Sequence, residues 1–142
     1  VDQSLRDDSG EHKYVVFVPA GYRADKPSPA ILFLHGAGER GKDNRLTLTA
    51  GLPPFVQARA KTFPFLVVIP QCESSEARIL EAWQAHSPDG QRALRILDDA
   101  QKHFSIDPQR VVLSGWSMGA YGTWSLGMAD PQRWSAIMPL AD

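Results

Sequence analysis

The stretch Gly115-Trp116-Ser117-Met118-Gly119 holds a serine between two glycines, each two positions away. A serine in this spacing acts as a nucleophile when it lies on a sharp turn between a strand and a helix. An apolar run, Val111–Leu113, comes just before it, and Met118 to Met128 is predicted to be helical. Glycines at 115 and 119 remove Cβ atoms that would collide in so tight a turn. The context therefore predicts a nucleophilic Ser117 beside free N–H groups of a helix start.

A second glycine-rich stretch, His35-Gly36-Ala37-Gly38, follows the apolar run Ala30–Leu34. A loop in this position typically gives one backbone N–H to an oxyanion hole, and the residue after the nucleophile, here Met118, gives the other. We expect Ala37 to supply the loop donor, with Gly38 as the second choice. His35 belongs to the loop motif and precedes the serine, so we expect it to brace the loop and not to act as a base.

The elements that must position these residues alternate along the chain, which predicts an α/β fold with a doubly wound, mostly parallel sheet in a single domain over residues 1–142. Ligands on such sheets bind at the carboxyl ends of the strands. Val1–Glu11 is expected to be a loose lead-in, Asp107-Pro108 a turn, and Glu73–His86 mostly loop. The predicted strands are Tyr14–Val18, Ala30–Leu34, Phe65–Ile69, Arg110–Ser114 and Trp134–Leu140, and the predicted helices are Pro53–Lys61, Pro88–Phe104 and Met118–Met128.

Composition narrows the function classes. The formal net charge is −1, from 15 basic and 16 acidic residues, which gives no support for a nucleic-acid or anionic-membrane partner. No apolar run reaches the length of about 18 residues that a membrane span needs, and no signal peptide is visible. The single cysteine, Cys72, excludes an internal disulfide and a cysteine-based zinc cluster. No metal-ligand spacing or phosphate-binding loop is present, so we expect no metal and no cofactor.

The stretches Ile31–Asn44 (ILFLHGAGERGKDN) and Ile106–Leu140 resemble the α/β-hydrolase fold. More narrowly, they are similar to its secreted-type carboxylesterases, the predicted-peptidase and phospholipase/carboxylesterase group close to feruloyl-esterase-like and polyhydroxybutyrate-depolymerase-like enzymes. The resemblance covers Tyr14 to Leu140, and Pro70–Cys72 followed by Trp83 also fits it.

This resemblance implies that Ser117 is the nucleophile and that Ala37 and Met118 frame the oxyanion hole. It implies that Glu39, Arg40 and Asn44 order the loop and do not react, and it favours a secreted or periplasmic protein. Trp116 stands where the group more often has a smaller or aliphatic residue, so it either narrows the acyl pocket or packs in the core. Trp83 and Trp124, like Trp116, offer stacking surfaces for a carbohydrate-linked or other polymer-linked ester, or else belong to the core.

The other members of a catalytic triad are missing from this stretch of sequence. In the α/β-hydrolase order an acid and then a histidine follow the serine. The acids after Ser117 are Asp130, which we expect to form a turn, and Asp142, an alternative for the acid at the end of the last strand. His12, His86 and His103 all precede the serine. We therefore expect the acid and the histidine beyond residue 142, in a missing C-terminal segment or a second chain.

Three functions remain open from the sequence. The leading hypothesis is a serine carboxylesterase acting on a small-molecule or polymer-linked ester. A peptidase on the same scaffold would use the same acyl transfer. A degenerate hydrolase fold that only binds its ligand would explain the absent histidine but not the intact serine motif.

Overall fold

The computed structural model describes residues 1–140, in which six strands form one mixed sheet in the order β1-β2-β4-β3-β5-β6. β1 and β2 pair antiparallel, and so do β2 and β4, whereas β4, β3, β5 and β6 run parallel to one another. This confirms the predicted, mostly parallel sheet. The strands are β1 Asp2–Asp7, β2 Gly10–Phe17, β3 Ser28–Leu34, β4 Leu66–Pro70, β5 Ile106–Trp116 and β6 Ala136–Leu140.

Three α-helices cover the two faces of the sheet: α1 (Leu52–Ala58), α2 (Pro88–His103) and α3 (Met118–Ala129). Val56 of α1 packs on one face with Phe33 and Ile69. Leu97 of α2 and Leu126 of α3 lie in the separate apolar cluster of the other face. The sheet is therefore wound on both sides, as the alternation of elements predicts. Short 3₁₀ turns at Ala37–Glu39, Leu46–Leu48 and Pro131–Arg133 complete the regular structure.

The local sequence explains the elements next to the site. All five residues of β4 are buried, as are the last five of β3, which fits their uninterrupted apolar runs. α2 begins as expected, because the Ser87 side chain accepts a hydrogen bond from the Gly90 N–H and Pro88 occupies the first turn. Glu73–His86 is turn and loop, also as expected.

Two expectations about irregular regions were wrong. The polar lead-in Val1–Glu11 instead forms β1 and the first residues of β2, because an edge hairpin with one solvated face needs few apolar side chains. The Asp107-Pro108 step lies inside β5 and not between elements. The step forms part of a β-bulge in β5. Ser28 of β3 pairs with Ile106 and Ala30 pairs with Val111, so β5 holds extra residues between these two pairs.

Candidate active site

Ser117 lies at the junction between β5 and α3. Its backbone adopts φ 54° and ψ −117°, a conformation that residues other than glycine rarely adopt. Its N–H donates to the Leu140 carbonyl at 3.0 Å, and its side chain is half-buried. The motif thus forms a strained strand-to-helix turn that leaves the hydroxyl accessible.

The two glycines of the motif are required by close backbone contacts. A Cβ on Gly119 would lie 1.9 Å from the Leu34 carbonyl oxygen, and one on Gly115 would lie 2.3 Å from the Gly119 carbonyl oxygen. Real Cβ atoms do not approach a carbonyl so closely. The first turn of α3 therefore packs directly on the end of β3, which brings the serine turn against the loop that leaves β3.

The loop and the serine turn leave the sheet at the same edge. β3 and β5 are parallel neighbours, with Leu34 opposite Gly115. The loop begins at His35, and residues Ala37–Glu39 form a 3₁₀ turn. The sheet therefore brings together the two stretches that the sequence predicted to act together.

The sequence-predicted oxyanion donors are the backbone N–H groups of Ala37, Gly38 and Met118. Neither Ala37, Gly38 nor Met118 donates its N–H to an acceptor within residues 1–140. Met118 is the first residue of α3, where unpaired N–H groups and the helix dipole both favour negative charge. Backbone donors without an acceptor are the kind of group that an oxyanion would require.

His35 is buried and uses both ring nitrogens inside the loop. Nε2 accepts from the Cys72 N–H at 2.9 Å, so the proton lies on Nδ1, which donates to the Gly36 carbonyl at 2.6 Å. Burial lowers the pKa of the ring and favours this neutral form. With no nitrogen free, His35 holds the loop in shape and is not available as a base.

Glu39 and Arg40 tie the loop to its surroundings. The Glu39 carboxylate is buried and accepts from the Gly36 N–H at 3.0 Å and from the Trp116 indole at 3.3 Å. The Arg40 guanidinium donates to the carbonyls of Ala37 and Ala77 at 3.1 and 3.0 Å. These contacts order the loop.

Gln71 lies in the stretch Pro70–Cys72 that fits the resemblance, but the sequence assigned it no role. Its buried amide donates to the Glu39 carbonyl at 2.9 Å and to Asp43 Oδ1 at 3.0 Å, and it accepts from the Asn44 N–H at 2.8 Å. Asn44 itself has a positive φ of 59° and donates its side-chain amide to the Tyr14 carbonyl. The available signal was the position of Gln71, a polar residue immediately after a fully apolar strand.

The two tryptophans proposed for a substrate pocket lie in different environments. Trp83 is only 1% exposed, packs on Gly122 and donates its indole N–H to the His35 carbonyl at 3.0 Å. The structure thus corrects the pocket assignment of Trp83, which belongs to the core beneath the loop. Trp116 is half-buried, and its ring lies against Gly36 and Gly51. Trp124 is exposed on α3 and remains available for a ligand.

Neither Asp130 nor any histidine is hydrogen-bonded to Ser117 within residues 1–140. Asp130 follows the last residue of α3, a 12-residue helix of about 18 Å whose other end carries the serine. His103 ends α2, where its Nδ1 lies 2.8 Å from the Asp99 carbonyl. His86 is exposed in the loop before α2. Asp142 lies outside the described residues.

A second arrangement of serine, histidine and acid lies elsewhere, on the hairpin of β1 and β2. Ser9 Oγ is 2.7 Å from His12 Nε2, and His12 Nδ1 is 2.6 Å from Glu73 Oε2. However, Asp7 Oδ1 lies 3.1 Å from the same Nε2 and 2.6 Å from Ser9 Oγ. The Ser9 hydroxyl already donates its proton to Asp7, and the cluster ties the hairpin to the segment after β4 through Glu73.

Other features do not compete with this edge of the sheet. An apolar cavity of about 250 Å³ on the α1 face is lined by residues of β2, β4 and α1 and lies apart from the serine turn.

In the described residues no group of three or more histidine, cysteine or acidic side chains could hold a metal ion. No helix within residues 1–140 has the length and apolar character to cross a membrane.

Comparisons by sequence give no match, neither to a family model nor to a curated protein. Solved structures do match. A thermostable esterase superposes with a TM-score of 0.75 and 27% identity over 98% of this chain and 40% of its own. A substrate-bound fluorophosphonate-binding serine hydrolase of Staphylococcus aureus has a TM-score of 0.72 and 15% identity over 99% of this chain and 56% of its own.

The feruloyl esterase module of Clostridium thermocellum, solved with sinapinate, matches with a TM-score of 0.67 and 17% identity over 98% of this chain and 52% of that one. The chain thus spans between 40% and 56% of the length of these three structures. Their likeness agrees with the strand order of the sheet. The chain has the α/β-hydrolase fold of esterases and serine hydrolases.

Proposed function

We propose that this chain carries the nucleophile and the oxyanion hole of a serine hydrolase that cleaves carboxylic esters through an acyl-enzyme on Ser117. The observation that carries the proposal is the strained Ser117 backbone at the start of α3, beside the free N–H groups of Ala37 and Met118. Strain of this kind costs about 1–3 kcal/mol and is found where function requires it. Neighbouring esterase structures with the same fold add support.

The chemistry follows from this geometry. Ser117 Oγ attacks the ester carbonyl carbon, and the carbonyl oxygen becomes an oxyanion that the N–H groups of Ala37 and Met118 bind, with Gly38 as the alternative loop donor. The tetrahedral intermediate collapses, the C–O bond to the alcohol breaks, and the alcohol leaves with a proton. Water then attacks the acyl-enzyme and releases the acid, regenerating the Ser117 hydroxyl.

A proton acceptor is also required, because a serine hydroxyl is a poor nucleophile without an adjacent base. His35 has both ring nitrogens engaged, and His12 is held between two carboxylates. The proposal therefore places the histidine and its acid in polypeptide outside residues 1–140, either a further segment or a second chain. The substrate would be a small-molecule or polymer-linked ester.

Replacing the nucleophile tests the proposal. In the full-length protein, Ser117→Ala should reduce turnover of p-nitrophenyl acetate by about 10³-fold or more, because the covalent step is lost. Ser4→Ala, an exposed serine on β1, is the matched control and should keep parental turnover. Unchanged turnover in Ser117→Ala would contradict an acyl-enzyme on this residue.

A non-catalytic binding module is the second candidate, and one observation favours it. The Ser117 hydroxyl has no hydrogen-bond partner within the part of the chain that the structure describes. Labelling with a fluorophosphonate probe separates the two functions, because only an activated serine reacts. Covalent labelling of the full-length protein that disappears in Ser117→Ala supports the hydrolase, whereas an inert serine supports the binding module.

A further inference from the structure

We infer that Glu39 and Trp116 form a bridge that sets the position of the oxyanion loop relative to the serine turn, with Glu39 and Trp116 as positioning residues. The inference rests on the proposed function. It concerns a contact that joins the two stretches of the site, together with the loop contact that shares its acceptor oxygen. The bridge consists of the Glu39 carboxylate, the Trp116 indole and the Gly36 N–H.

One carboxylate oxygen makes both halves of the bridge. Glu39 Oε1 accepts from the Gly36 N–H at 3.0 Å on the loop side and from Trp116 Nε1 at 3.3 Å on the side of the serine turn. Hydrogen bonds to an ionised acceptor are stronger than neutral ones, and Glu39 is only 7% exposed, so water competes weakly. Because the Gly36 N–H is occupied, it is not available to an oxyanion, whereas the N–H groups of Ala37 and Gly38 have no acceptor within residues 1–140.

Packing fixes the indole as well. A Cβ on Gly51 would lie 2.8 Å from Trp116 Cδ1 and Nε1, and one on Gly36 would lie 3.4 Å from the ring. The ring is therefore held between the two glycines. Trp116 immediately precedes Ser117 and pairs with Leu140 in the sheet, so its backbone belongs to the serine turn.

The bridge matters because the two N–H donors of the proposed oxyanion hole lie on the two stretches that it joins. Ala37 lies on the loop, whereas Met118 lies on the serine turn, and both N–H groups must reach one oxygen at about 2.7–3.1 Å. A change in the spacing of the two stretches misplaces one donor without removing it. Such misplacement weakens binding of the transition state more than binding of the ester, so it lowers kcat and leaves KM nearly unchanged.

A double-mutant cycle in the full-length protein tests this inference. Trp116→Phe keeps a packed ring and removes the indole N–H, and Glu39→Gln removes the charge of the acceptor. Each should lower kcat for p-nitrophenyl acetate about tenfold with KM within about twofold, and the double variant should be no slower than the slower single one. Trp134→Phe is the matched control, since its indole N–H also donates a hydrogen bond, to the backbone carbonyl of Leu126, away from the site. Its kcat should be parental.

Two NMR signals report the bridge without relying on turnover. The Trp116 indole N–H resonance, assigned by its loss in Trp116→Phe, should shift in Glu39→Gln, and exchange of the Gly36 amide with solvent should accelerate in both variants. An unshifted indole, additive effects on kcat, or an equal loss in Trp134→Phe would overturn the inference. Turnover that survives Ser117→Ala overturns the proposed function, and the positioning role falls with it. Turnover abolished by Ser117→Ala but unaffected in both bridge variants overturns the bridge alone.

Discussion

At the scale of single residues, the candidate site combines a strained backbone at the serine with positions that have room only for glycine. Ser117 holds a positive φ, and Gly119 leaves no room for a Cβ beside the Leu34 carbonyl. Packing of the first turn of α3 on the end of β3 offsets the energetic cost of the strained Ser117 backbone. This is why substitutions at the same position should separate stability from activity.

Ser117→Gly should be more stable than Ser117→Ala by about 1 kcal/mol. Glycine adopts the observed φ and ψ without strain, and the relief exceeds the extra backbone entropy that glycine loses on folding. Urea denaturation measures the difference. The pair Ser4→Gly and Ser4→Ala on β1 provides the control, where glycine should be the less stable member. A less stable Ser117→Gly would show that the turn is not strained.

His35 should make stability depend on pH in a definite direction. Burial lowers its pKa in the folded protein below the ordinary value of 6.5, so the ring is neutral in both states above that value. As the pH falls below about 6.5, the unfolded chain takes up a proton that the folded ring resists, and the free energy of unfolding decreases.

The measurement is urea denaturation of the parent and of His35→Gln between pH 8 and pH 5. At pH 8 the difference reports lost hydrogen bonds, about 1–3 kcal/mol. Toward pH 5 the gap should narrow, because glutamine does not titrate. A constant gap across this range would contradict a neutral, buried His35.

At the scale of elements, the loop after β3 is shaped by residues of the segment after β4. Gln71 and the Cys72 N–H bind this loop at both of its ends, through Asn44 and through His35. Because β3 and β4 are parallel neighbours, their carboxyl ends deliver the two segments to the same edge. The oxyanion loop is therefore held by contacts distant in sequence.

Gln71→Met should loosen this loop. The variant keeps the volume of the side chain and removes three hydrogen bonds, leaving a buried N–H and carbonyl unpaired at a cost of about 2–3 kcal/mol. Amide hydrogen exchange should accelerate in residues 36–44 more than in α2. Gln84→Met, whose amide makes one exposed contact, should leave this exchange unchanged.

At the scale of the whole molecule, one sheet separates two apolar clusters of different size. The cluster under α2 and α3 includes Leu97, which is fully buried, and that under α1 includes Val56. The strands contribute to both clusters, so the two faces should unfold together. A single cooperative transition is the expected behaviour.

Leu97→Ala should destabilise this molecule by about 2–5 kcal/mol, because it opens a cavity in the larger cluster, and Val56→Ala should cost less. Thermal unfolding followed by circular dichroism and by tryptophan fluorescence should give coincident midpoints in both variants. Separate midpoints for the two probes would show that the faces unfold independently.

Much of the fold was predictable because its signals are local. The buried strands, the Ser87 cap of α2 and the Ser117 motif depend on apolar runs, turn residues and capping chemistry that neighbouring residues determine. The β1 strand was not predictable, because a polar edge strand owes its existence to pairing with β2. Gln71 was missed for a similar reason, since its three partners lie more than 25 positions away in the chain.

The sequence by itself determined the alternation of elements, the identity of the candidate nucleophile and the glycines that its turn requires. Only the tertiary structure decided which residues are buried and which hydrogen-bond partners the residues around the candidate site have. It placed Trp83 in the core, engaged both nitrogens of His35, and joined Glu39 to Trp116 across 77 positions. The reason is physical: turn and strand preferences act between adjacent residues, whereas burial and hydrogen-bond partners depend on how parallel strands bring distant segments to one edge of the sheet.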